Sequence, residues 1–270
     1  MHDHSSHLGQ YPMPVHEHLL SALPFALLIL LYAGAAVLSS RRYGRQWPLS
    51  RFVLWLLGVL SAAAAVVGPL AEQAHRMFQA HMAAHLLLGM LAPLLLVLSA
   101  PVTLALRVIN TGASRRISRI LRGACFGFLT HPVTAAFLNI GGLWILYTTE
   151  LYALMQEHLL VHIIVHVHIF LSGYVFTASM IYIDPSPHRT GYVLRAVVMV
   201  TALAGHGILA KYLYASPPEG VPAVQAESGS LLMYYGGDGI HILLIVLLCV
   251  QWYKSARPRL SVDKKTSRTA

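Results

Sequence analysis

The stretch HLLVHIIVHVHIFLSGY, residues 158–174, decides how this chain is read. Four histidines, His158, His162, His166 and His168, stand in a run otherwise made largely of Leu, Val, Ile and Phe. An imidazole costs free energy to bury unless something satisfies its nitrogens. The segment is long enough to cross a hydrocarbon layer as a helix, so its histidines call for partners inside a bundle.

Working outward, the 270 residues are 56% hydrophobic and 11% charged, where a soluble domain has about 25% charged residues. Apolar runs near 20 residues recur along the length. The expected class is all-α: a polytopic integral membrane helical bundle of about seven transmembrane helices, at 19–38, 52–70, 82–106, 124–147, 158–182, 193–213 and 238–253. In such a chain the formal charge of +9 points to lipid contact rather than to nucleic acid, and the placement of the charges carries the information.

Seventeen of the nineteen basic residues follow the first, third, fifth and seventh spans: Arg41, Arg42, Arg45 and Arg51; Arg107, Arg115, Arg116, Arg119 and Arg122; Arg189 and Arg195; and Lys254, Arg257, Arg259, Lys264, Lys265 and Arg268. Arg76 and Lys211 fall on the other side. The positive-inside rule predicts an N-terminus outside and a C-terminus in the cytoplasm. The expected organisation is a histidine-rich extracytoplasmic tail over 1–18, a seven-helix domain over 19–253 and a basic cytoplasmic tail over 254–270. No basic residue precedes the first apolar run, so that span is expected to be retained rather than cleaved. The stretch ASPPEGVPAVQAESGS, residues 215–230, reads as a flexible outer cap. Pro93 and Pro101 should bend the third span. Cys125 and Cys249 form no CxxC pair, and they lie where no outer disulfide can form.

Of sixteen histidines, nearly all fall in the outer half. His2, His4, His7, His16 and His18 are in the tail; His75, His81 and His85 lie at the outer ends of the second and third spans. His158, His162, His166 and His168 run inward along the fifth, His206 lies in the sixth, and His241 opens the seventh. His131 and His188 are on the cytoplasmic side. His81 and His85 share one helix face at i, i+4, as do His158, His162 and His166, while His168 points elsewhere. Intramembrane ionisable groups mark functional paths, so the skew predicts a metal or haem site. Imidazole suits copper, zinc and iron. Met77, Met82, Met155 and Met233 lie on the same side, and thioether plus imidazole without thiolate favours copper.

HMAAHLLLGMLAPLLLVLSAPVTLALR, residues 81–107, resembles the signature of the seven-helix CtaG-like cytochrome c oxidase assembly factors, as distinct from the single-span copper chaperones that share the name. His131–Pro132, HVHIFLSGY at 166–174, Asp184–Pro185, His206, and YYGGD through QWY between Tyr234 and Tyr253 resemble further blocks of that family in the same order. The resemblance covers residues 70 to 253. It implies a bacterial inner-membrane protein needed to assemble haem–copper oxidase, a role in copper supply, and an oxidase subunit as partner. The family's histidines correspond to His81, His85, His162, His166, His168 and His206. Ser99 stands where the family has Gly, VFTASMIYI lacks a Trp-Pro pair, and His241 replaces an acid.

The candidate ligands are therefore His81, His85, His158, His162, His166, His168, His206, His241, Met77 and Met82, with copper as cargo and a transfer role rather than turnover. Two other functions fit the same residues. A bis-histidine haem b would make the chain an electron-transfer protein. A zinc hydrolase would need three histidines and a carboxylate base, for which Asp238 beside His241 is the best pair and Glu72, Glu150 and Glu157 are edge candidates.

Overall fold

The computed structural model describes residues 15–257. Most of the histidine-rich tail and most of the basic C-terminal tail lie outside the described residues. Fourteen helices follow in order: α1 Val15–Tyr43, α2 Leu49–Val66, α3 Pro69–Ala74, α4 Phe78–Leu86, α5 Ala92–Leu98, α6 Pro101–Val108, α7 Thr111–Leu121, α8 Ala124–Leu129, α9 Pro132–Ala136, α10 Gly142–Thr148, α11 Leu151–Glu157, α12 Leu159–Met180, α13 Tyr192–Ala215 and α14 Ala223–Ala256. A π-turn, Leu87–Leu91, joins α4 to α5, and a second, Phe137–Gly141, joins α9 to α10.

Six helical units among the described residues are long and apolar enough to cross a membrane: Leu20–Tyr43 within α1, α2, the continuous run Phe78–Leu98, α12, α13 and α14. The fourth expected span is the exception. It breaks at His131–Pro132, because proline cannot donate its N–H and biases the residue before it away from helical geometry. His131 is extended, with ψ 131°. The apolar helix Pro132–Thr148 that follows is shorter than the six.

The run Phe78–Leu98 is the hub, with 67% of its apolar window buried against 11% for α1. The outward faces of the other helices are apolar. On α12, Leu159, Leu160, Ile163, Ile164, Val167 and Leu171 are all exposed, the side chains that lipid contact requires.

Proline shapes the hub as the sequence predicts. Pro93 sits in the first turn of α5 directly after the π-turn, where its missing N–H costs little. Ala100 is left-handed, with φ 56°, and Pro101 starts a new helix. The freed Ser99 carbonyl accepts from the Tyr32 hydroxyl at 2.7 Å, and Tyr32 accepts from Trp47 Nε1 at 3.1 Å. Asp184 accepts from Val102 N, Thr103 N and Thr103 Oγ1 at 3.2, 2.7 and 2.6 Å, which caps α6. At this arginine-rich end, Arg107 lies over the rings of Tyr43 and Trp47 at 4.7 and 5.5 Å.

The expected outer cap is corrected. The 215–230 cap is a loop only as far as Pro222; α14 begins at Ala223. Its small residues Ala226, Gly229 and Ser230 are buried, and Gly229 faces Phe78 and Met82 of α4. Close packing through small residues overrides the weak helix propensity of Gly and Ser. His241 therefore lies deep inside a 34-residue helix rather than opening a span.

Candidate functional site: a column and a triad of imidazoles

The approach of α12 to the hub positions the site. Gly173 lies on the Gly89 backbone so closely that a Cβ there would run into the Gly89 carbonyl oxygen. Gly89 belongs to the π-turn, where π-turns often mark functional sites. The His85 ring lies 3.4 Å from where a Gly89 Cβ would stand. On α14, Gly237 leaves the space that the His206 ring enters.

The histidines fall into two groups. His75, His162 and His166 form a stacked column, with centroids 4.8 Å apart between the first pair and 4.0 Å between the second. His166 Nδ1 is within hydrogen-bond distance of the His162 carbonyl at 2.9 Å. His81 meets His166 edge-on at 6.4 Å, and its Nε2 is hydrogen-bonded to the Tyr147 hydroxyl at 3.0 Å. Phe78 and Tyr152 also lie against the His81 ring. Tyr152 lies on the short helix α11 outside the spans, and burial raises its hydroxyl above the usual 10.0. It therefore contributes a neutral hydroxyl.

The second group is deeper. His85 of α4, His206 of α13 and His241 of α14 are 4%, 1% and 3% exposed. The His85 and His206 rings are 6.2 Å apart and the His206 and His241 rings 5.2 Å apart. Both nitrogens of His85, both of His206 and Nδ1 of His241 are buried with no hydrogen-bond partner among the described residues. Most buried polar atoms in proteins are paired; these five ring nitrogens on three helices are exceptions among the described residues. A cavity of about 20 Å³ borders His241, between Asn139 and Thr177; a single water or ion is the largest occupant for that volume.

With a metal–nitrogen bond of about 2.0–2.1 Å and a ring centre about 1 Å behind the ligating nitrogen, two imidazoles on one ion hold their centroids about 5–6 Å apart. The His206–His241 pair has that spacing, the His85–His206 pair at 6.2 Å is slightly wider, and the column, at 4.0–4.8 Å, is tighter. As the side chains are oriented, no three His, Cys, Asp or Glu among the described residues converge on one point. Closing the triad on an ion therefore takes rotation of the rings.

The remaining candidates lie elsewhere. His158 is exposed ahead of α12. His168 is exposed, with Nε2 3.2 Å from the Leu138 carbonyl in the second π-turn. Met77 is 43% exposed and borders a mouth of about 240 Å³ together with His75, Tyr152, Glu157, Glu219 and Gln225; Met82 is fully buried. His75 was not among the expected ligands, because it sits in a short connection without periodicity. Its place at the outer end of the second span was the available signal.

A hub helix crossed at glycines, among helices long and apolar enough to cross a membrane, defines a multi-pass helical membrane bundle with buried imidazoles inside it. The chain belongs to the Caa3_CtaG family, described as cytochrome c oxidase caa3 assembly factor, whose model matches residues 30–255. That membership supports a role in cytochrome c oxidase assembly. The chain is also similar to uncharacterized proteins of Mycobacterium leprae, at 30% identity, and of Mycobacterium bovis and Mycobacterium tuberculosis, at 34%. Each match spans 197 residues, 70% of this chain and 30% of the relative, so the chain spans well under half the length of these relatives. No solved structure matches the chain.

Proposed function

We propose that the chain sits in a bacterial inner membrane with its N-terminus outside, takes copper at the outer face, holds it on His85, His206 and His241, and passes it to a cytochrome c oxidase subunit during assembly. The carrying observation is the five ring nitrogens, contributed by three helices, that have no partner among the described residues. An unpaired buried polar group costs about 1–3 kcal/mol; each neutral imidazole carries one lone pair, and an ion that accepts those three lone pairs removes that part of the cost. The stacked column and the mouth beside it supply the approach. Copper is cargo here, so the chemistry is ligand exchange rather than turnover.

The two alternatives are less well supported. A porphyrin needs far more room than the 20 Å³ beside His241, and the apolar cavity of about 540 Å³ beside His166 presents one histidine where a bis-histidine haem needs two. A zinc hydrolase needs a carboxylate at the metal, and no carboxylate reaches the orphaned nitrogens of the triad.

The orientation is tested with a reporter active only in the periplasm. Fusions after Glu150 or at Glu219 should be active and a fusion after Arg116 inactive; activity at Arg116 reverses the topology and removes the outer-face reading. Copper supply is tested in cells with variants at equal protein levels. His206→Ala should leave oxidase short of copper, and added copper should restore part of its activity. His131→Ala should leave the oxidase loaded, because His131 is the extended residue before the α9 helix and caps it with no side-chain bond. If His206→Ala gives fully loaded oxidase, the triad is not the supply site.

A further inference from the structure

Three methionines are buried in the core near the mouth, two of them on helices that run from the mouth to the triad. Met82 of α4, Met155 of α11 and Met233 of α14 are 0%, 1% and 0% exposed. They belong to one packed cluster with Phe78, Tyr147 and Tyr152, the aromatic rings that surround His81 at 6.2, 6.0 and 5.2 Å. The order along two helices fixes the level of Met82 and Met233, and Met155 packs in the same cluster. On α4, Phe78 borders the mouth, Met82 follows, and His85 of the triad comes next. On α14, Gln225 borders the mouth, then come Met233 and His241. Met233, Gly237 and His241 are four apart and share one face, and the His206 ring enters at Gly237.

Resting on the copper reading, we infer that Met82, Met155 and Met233 form a thioether neck through which the cation reaches the triad, and that this neck and the neutral triad select singly charged copper, Cu(I), over divalent ions. Two independent features support this. Thioethers are soft ligands that favour Cu(I) and bind Zn(II) and Cu(II) poorly. The triad offers neutral nitrogens with no carboxylate on its orphaned atoms, so the ion's charge stays uncompensated in a low-dielectric interior. The Born cost grows as the square of the charge, about four times greater for a divalent ion than for a monovalent one. The ion enters and leaves as Cu(I), so no electron transfer is involved. Met77, exposed at the mouth, is the outermost thioether of the series.

Methionine also serves as apolar filler, and leucine separates the two roles because Met→Leu nearly conserves volume. The test uses the full chain purified in lipid nanodiscs, with Ag(I) as a redox-inert monovalent probe and Zn(II) and Cu(II) as divalent competitors. Wild type should retain Ag(I) at least tenfold more tightly than either divalent ion. The combined Met82→Leu, Met155→Leu, Met233→Leu variant should keep its helical content and melting temperature and load Ag(I) at least tenfold more slowly. The three single variants are measured alongside, each expected to slow loading, so the neck remains testable if the triple variant does not fold. Loading at the wild-type rate in the leucine variants overturns the neck. Preference for Zn(II) or Cu(II) at a site lost in His206→Ala overturns charge selection and leaves a histidine site standing. Wild type that binds none of the three ions sinks the copper reading itself.

Discussion

Gly173→Val removes the folded protein from the membrane. The valine Cβ would meet the Gly89 carbonyl oxygen and stand 3.3 Å from Pro93 Cγ, and neither is the end of a flexible side chain. Overpacking of ordinary side chains costs about 1–3 kcal/mol; here α12 must leave the hub as a whole, so a larger loss is expected. Gly173→Ala should be intermediate, with a lowered melting temperature and reduced yield. Detergent-solubilised protein assayed by thermal unfolding and by membrane abundance checks both. If Gly173→Val accumulates and melts like wild type, the close crossing of α12 and the π-turn is wrong, and the placement of His162 and His166 fails with it.

The second large effect is a dissociation of stability from binding at His206. A structural histidine has partners, and its removal destabilises. His206 has none on either ring nitrogen among the described residues, although it is 99% buried by its 1% exposure. Replacing it with Leu removes two orphaned nitrogens while filling most of the volume. The metal-free variant should therefore be as stable as wild type, or more stable by about 1–3 kcal/mol, and copper affinity should fall about a hundredfold or more, since even losing an outer-shell partner costs 10–100-fold. His85→Leu and His241→Leu should behave alike. His131→Ala should bind copper normally. A His206→Leu variant that unfolds while His131→Ala and the other triad variants bind normally would mark His206 as structural.

The sequence made the membrane class legible because composition and apolar run length depend on no tertiary detail. The i, i+4 spacing of His81 and His85 gave the correct shared face, yet the two rings meet different partners, His166 for one and His206 for the other. A face shared along a helix passes different neighbours at each turn, and spacing says nothing of those neighbours. The start of α14 was hidden because Pro, Gly and Ser read as loop, while the structure uses the same small residues for contact with α4. The π-turn beside His85 left no sequence signal beyond Gly89. His241 was counted among the ligands, but its depth followed only from where α14 begins.

The central claim is that copper is held by the imidazoles of His85, His206 and His241. X-ray absorption spectroscopy of the copper-loaded, purified full chain tests it most directly, because imidazole rings give a distinctive outer-shell pattern. The expected first shell is imidazole nitrogen at about 2.0 Å, with one imidazole fewer in whatever copper His206→Leu retains. A shell dominated by sulfur, or one identical in wild type and His206→Leu, would contradict the claim.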